Sequence, residues 1–115
     1  MEQLMRINQI ARFALGRVLA TPGALHAMEQ VGMGALPLLA RHQSGDWGQV
    51  DAEDWQANDE AVERGWRIVS AYDIGGSRVW IIAEAAPGIL PPAALPHPCG
   101  ASDRSSTTLL LPEEY

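Results

Sequence analysis

A chain of 115 residues, 47% of them hydrophobic, is long enough for one core and too short for two ordinary domains. Fourteen acids against eight basic residues give a formal net charge of −6, which argues against general nucleic-acid binding, because phosphate contact needs a basic stripe. Cys99 is the single cysteine, so no intrachain disulfide is expected and a reducing compartment is the default. Met1 to Arg6 lack the basic start and long apolar run of a signal peptide, and no apolar stretch approaches the length of a membrane span. The expectation is a cytoplasmic protein with no membrane contact.

The N-terminal segment keeps helical spacing at Ile7, Ile10, Ala11 and Ala14, and Phe13 to Ala20 is mixed, so a helix followed by a strand is expected there. Thr21-Pro22 is a helix start: threonine caps free amides and proline suits the first helical position. Leu25 and Met28 are expected to face the core. Gly32 and Gly34 interrupt the run, and Leu36, Leu39 and Ala40 restart it as a second short helix ending before Gly45. Asp51 then precedes Ala52-Glu53-Asp54, a capping side chain followed by acids where the helix dipole favours negative charge. That third helix should run to about Arg64, with Trp55, Asn58, Ala61 and Val62 inward, Asp59, Glu60 and Glu63 outward, and Gly65 as the left-handed stop.

From Trp66 the period changes to two, with Trp66, Ile68, Ser70 and Tyr72 on one side of a strand. Asp73-Ile74-Gly75-Gly76-Ser77 is hairpin-loop chemistry, and Val79, Ile81 and Ala83 alternate with Arg78, Trp80, Ile82 and Glu84 on the return. Pro87 to Ser105, rich in proline, glycine, alanine and serine, reads as a loop insertion without regular structure, and Thr107 to Leu111 as a last strand. The predicted class is α+β: one domain over residues 1–115, with short helices on one face of a three- to four-stranded antiparallel sheet.

Few residues suggest chemistry. Asp46 and Trp47 between two glycines could present a ring beside a carboxylate as a recognition knob, or could cover the core edge while the aspartate binds nearby amides. Asn58 on an apolar stripe needs hydrogen-bond partners, which a strand or loop backbone would supply. His26, His42, His97 and Cys99 match no zinc spacing, and Cys99 has no neighbouring oxyanion motif. There is no Gly-x-Ser-x-Gly elbow, and Gly32 and Gly34 lack the third glycine and preceding strand of a dinucleotide site. No catalytic residue, metal or cofactor is expected.

Leu15-Gly16-Arg17-Val18, Thr21-Pro22-Gly23-Ala24-Leu25, Leu38-Leu39-Ala40-Arg41-His42, Gly45-Asp46-Trp47-Gly48, Asn58-Asp59, Ser70-Ala71-Tyr72, Trp80-Ile81-Ile82-Ala83-Glu84-Ala85 and Thr107 to Tyr115 follow one another in that order. In these blocks, from Phe13 onward, the chain resembles a family of small uncharacterised proteins carried on bacterial plasmids, phages and integrated elements. Some of those carry a label as type I restriction-modification subunits. An adenine methyltransferase needs a cofactor domain of several βα units and an Asn/Asp-Pro-Pro-aromatic loop, and this chain has neither. The link from Ala85 to Thr107 is longer here than the resemblance implies.

Size, acidity and the resemblance together lead to an expected non-enzymatic interaction protein of a mobile element, interfering with a host defence or nucleic-acid-handling system. Its expected contact surface is Asp46, Trp47, Asp51, Glu53, Asp54, Asp59, Glu60 and Glu63, and its partner a protein with a basic face. One alternative is a small hydrolase or transferase built from Asp46, His42 and Tyr72; another is an element-maintenance protein with a protein partner. Clustering of those three side chains in a cleft would favour the enzyme.

Overall fold

The computed structural model describes residues 11–85 and 105–115. Within them the chain runs β1 (Arg17–Ala20), α1 (Pro22–Gln30), α2 (Ala35–Ser44), α3 (Ala52–Arg64), β2 (Ile68–Asp73), β3 (Arg78–Ala83), β4 (Ser106–Leu110) and a 3-10 turn at Pro112–Glu114. The class is α+β, as the patterning predicts. Cap chemistry sets the helix ends: Thr21 Oγ1 accepts from the Ala24 amide at 3.1 Å, and Asp51 Oδ1 from the Asp54 amide at 2.7 Å. Gly45 and Gly65 close α2 and α3 at φ 94° and 79°, and Gly75 and Gly76 turn the β2–β3 hairpin at 78° and 93°.

The sheet has the order β1-β4-β3-β2. β2 pairs antiparallel with β3 and β3 with β4, while β1 lies parallel to β4, so the sheet is mixed rather than wholly antiparallel. Three helices and a hairpin separate β1 from β4, and a connection of that length permits the crossover that a parallel pair requires. β1 is also shorter than the sequence suggests. Ala11 to Gly16 are not helical, and Phe13 is buried; Ile7 and Ile10, which carried the helical spacing, lie outside the described residues. So do Pro87 to Arg104 of the predicted insertion, together with His97 and Cys99.

The strand register places Ile68, Ser70, Tyr72, Val79, Ile81, Ala83, Thr107 and Leu109 on one face. α1 and α2 cover part of it with Ala24, Ala27, Met28, Leu38 and Leu39. α3 contributes Ala61 and Val62 to a second cluster with Phe13, Trp47, Ile68 and Ala83. Four expected core residues are instead exposed. Leu25 sits one position off the Ala24, Ala27 and Met28 line of α1, and Leu36 precedes the buried pair Leu38 and Leu39. Trp55 lies a turn before the part of α3 that buries Asn58, Ala61 and Val62. Trp66 falls between the Gly65 stop and the start of β2, outside the pleat, and packs its ring beneath the Arg64 guanidinium at 5.2 Å.

The outer edge of β2 is closed by two devices. Gly48 forms a parallel bridge with Ala71, in which the Gln49 amide donates to the Ala71 carbonyl at 2.6 Å and the Ala71 amide to the Trp47 carbonyl at 3.1 Å. Two residues earlier, the Asn58 side chain acts as the strand partner: Nδ2 donates to the Val69 carbonyl at 2.7 Å and Oδ1 accepts from the Val69 amide at 3.3 Å. This is the backbone role expected of a buried asparagine. No helix of the described residues is long and apolar enough to cross a membrane.

Candidate functional site

α2 brings Arg41 and His42 against β2, and the loop that follows brings Asp46 and Trp47. His42 has no exposure; its Nδ1 lies 2.6 Å from Ser70 Oγ, and its ring meets Phe13 and Trp47 edge-on at 5.3 and 5.6 Å. Tyr72 donates its hydroxyl to the Asp46 carbonyl at 2.7 Å. Arg41 grips the Asp46 carboxylate through Nε at 2.7 Å and Nη2 at 3.3 Å, with its guanidinium 4.6 Å from the Tyr72 ring centre. The hydrogen bond from Arg41 holds the Asp46 carboxyl below the usual carboxylate range although partial burial opposes it, and burial pushes the Tyr72 hydroxyl up.

His42, Asp46 and Tyr72 lie on neighbouring elements without forming the side-chain cluster in a cleft that the enzyme reading requires: His42 bonds Ser70, Tyr72 bonds the Asp46 backbone carbonyl, and the Asp46 carboxylate pairs with Arg41. They share no cleft: Tyr72 and His42 are buried, at 1% and 0% exposure, whereas the Asp46 carboxylate is partly exposed and held by Arg41. Their chemistry is to tie α2 and its loop to β2.

The expected acidic surface divides. Trp47 is 0% exposed, lies near-parallel to Phe13 at 6.3 Å and donates Nε1 to Asp59 Oδ1 at 3.0 Å; it covers the core and is no surface knob. Asp59 also accepts from Arg12 Nη1 at 3.2 Å, so it fastens two segments to α3 instead of standing free on an outer face. Asp46 is held by Arg41, Glu60 pairs with Arg64 at 2.9 Å one turn on, and Asp51 caps α3. The carboxylates of Glu53, Asp54 and Glu63 have no side-chain partner among the described residues and are exposed.

One side of α3 borders a cleft of about 560 Å³, in the size range of about 300–1,000 Å³ that holds ligands. Asp51, Asp54 and Asn58 line its helix wall, and Val69, Arg78 and Trp80 its sheet wall. At about 100° per residue, Asp51, Asp54 and Asn58 share a side of the helix, and Glu53, Glu60 and Glu63 fall on another, facing away. Arg78 is held by Asp73, Nε to Oδ1 at 2.8 Å and Nη2 to Oδ2 at 3.5 Å. Trp80 is half-buried beside Tyr115, 5.6 Å between centroids at 60°. Trp80 and Arg78 were not among the expected site residues; their alternation with the buried Val79 and Ile81 is the signal that puts them on the opposite face of the sheet. Comparison of the chain with protein-family models, characterised proteins and solved structures gives no match.

Proposed function

We propose that this chain is a non-enzymatic interaction protein that binds a protein partner with a basic face through the acids of α3. The observation that carries this reading is the split among its polar groups: His42, Ser70 and Tyr72, the side chains suited to catalysis, are sealed in the core, whereas Glu53, Asp54 and Glu63 are exposed and unengaged among the described residues. Exposed, unengaged acids steer an oppositely charged partner and contribute little to folding. The resemblance to mobile-element proteins supplies the setting: a cytoplasmic partner belonging to a host defence or nucleic-acid-handling system.

The test is affinity capture from candidate bacterial hosts with the native chain and with Glu53→Lys/Glu63→Lys. Asp59 is unsuitable for reversal because it holds Trp47 and Arg12 in place. Native capture should weaken steeply with salt and be lost in the double variant, whose melting temperature should match the native chain within a few degrees. Capture that survives both the reversal and high salt would remove the acidic-surface reading.

A further inference from the structure

Three times among the described residues the chain builds a unit in which a guanidinium lies over an aromatic ring beside a carboxylate, one of them Arg64 over Trp66 with Glu60. Arg41 lies over Tyr72 and grips Asp46; Arg67 lies 5.4 Å from the Tyr115 ring centre, donates to its hydroxyl at 2.8 Å, and has Glu84 at 3.7 Å. The cleft beside α3 offers the ring of Trp80 and the carboxylates of Asp51 and Asp54, with no guanidinium over that ring among the described residues. Its own cation, Arg78, is neutralised by Asp73. Among the described residues, no cation pairs with the two cleft carboxylates, which face the partial positive charge of the helix end.

We infer that this cleft receives an arginine side chain of the protein partner, its guanidinium against Trp80 and its N–H groups on Asp54. This rests on the reading that the chain is a protein-binding module and specifies what the partner must insert. Arginine fits better than lysine on physical grounds: a planar guanidinium stacks on an indole and meets a carboxylate through two parallel hydrogen bonds, whereas an ammonium is a strongly hydrated point charge. The apolar cleft residues Val50, Ala57, Val69 and Ala71 suit the methylene stem that carries the head group. Asp54 is the more available carboxylate, because Asp51 already accepts from the Asp54 amide.

The experiment titrates the full chain with capped hexapeptides alternating glycine with arginine, lysine or glutamate, following the Trp80 indole and Asp54 amide signals by NMR. The arginine peptide should shift both signals saturably and bind about 5-fold more tightly than the lysine peptide, and the glutamate peptide should shift neither. Trp80→Leu and Asp54→Asn should each weaken the arginine peptide about 5-fold; Asp54→Asn removes no side-chain hydrogen bond or ion pair among the described residues, so it tests the site with the fold preserved. Equal binding of the arginine and lysine peptides, unaffected by either variant, would overturn the cleft inference while leaving the acidic-surface reading intact. Failure of the arginine peptide to move either signal at millimolar concentration would also overturn it, and the acidic-surface reading would then stand or fall on the Glu53→Lys/Glu63→Lys capture alone.

Discussion

Gly48 is where the Trp47 loop touches the sheet, and Gly48→Ala measures how much of the fold depends on that contact. The residue has φ 76°, and a methyl group built on it would lie 2.0 Å from the Ala71 carbonyl oxygen and 2.7 Å from the Tyr72 ring. The left-handed backbone alone costs an alanine about 1–2 kcal/mol. Because the nearest obstacle is backbone, the loop must also back away, loosening the Gln49-to-Ala71 and Ala71-to-Trp47 bonds at about 1 kcal/mol each. The sum is about 3–4 kcal/mol, or roughly 10–20 °C in melting temperature for a domain of this size. Gly76→Ala is the matched control, with φ 93° but nothing within 4 Å, so it should lose only the backbone part. Any unfolded-state entropy effect of adding a methyl is common to both variants. Urea or thermal denaturation of the pair gives the difference, expected at about 2 kcal/mol. Equal losses would mean that the loop does not press on β2, and the account of Trp47 as the cover of the core edge would fall with it.

Two further outcomes test the packing and the buried polar groups. Ile81→Ala should destabilise by about 2–5 kcal/mol in the same denaturation assay, whereas Trp66→Ala should lose no more than about 1 kcal/mol, since its ring is exposed and keeps chiefly the Arg64 contact. Tyr72 has its hydroxyl pKa raised by burial above the ordinary value near 10, so the stability it contributes is complete below about pH 10 and is lost as the pH rises above that, when the unfolded chain releases the proton first. Alkaline denaturation followed from pH 8 upward should flatten in Tyr72→Phe, which also forfeits about 1 kcal/mol at neutral pH with the bond to Asp46.

The elements that sequence made legible are those whose cause is local. Asp51 and Gly65 bracket α3 because an N-cap carboxylate and a left-handed glycine act within one turn, and Gly75-Gly76 turns the hairpin for the same reason. Period two between Val79 and Ala83 also holds, since both neighbours of β3 are antiparallel and one face is covered by helices. The orientation of β1 was not legible: four residues with mostly exposed side chains carry no pattern that distinguishes parallel from antiparallel pairing, and β4 lies nearly ninety positions further on. Trp66 misled for a related reason. Alternation cannot tell the first residue of a strand from the last residue of the turn before it, and one position decides whether an indole is core or surface.

The acidic surface shows the same boundary between local and distant causes. Composition makes the negative charge of this chain visible, but whether a carboxylate is available depends on which cation or amide lies beside it in space. Glu60 is engaged by Arg64 at helical spacing, a pairing that sequence displays. Asp59 is engaged by Arg12, forty-seven positions away, and by the indole of Trp47, neither of which sequence displays. Trp47 and Asp59, both expected in the contact surface, are thereby bonded to each other and removed from it together. What remains unengaged among the described residues is narrower and more directional: Glu53 and Glu63 on the side of α3 away from the cleft, and Asp54 lining the cleft together with Trp80. A uniform acidic face would accept any basic surface, whereas a carboxylate set opposite an aromatic wall imposes a shape on what enters, and shape is what separates a specific partner from the many basic proteins that a charge of −6 alone would attract.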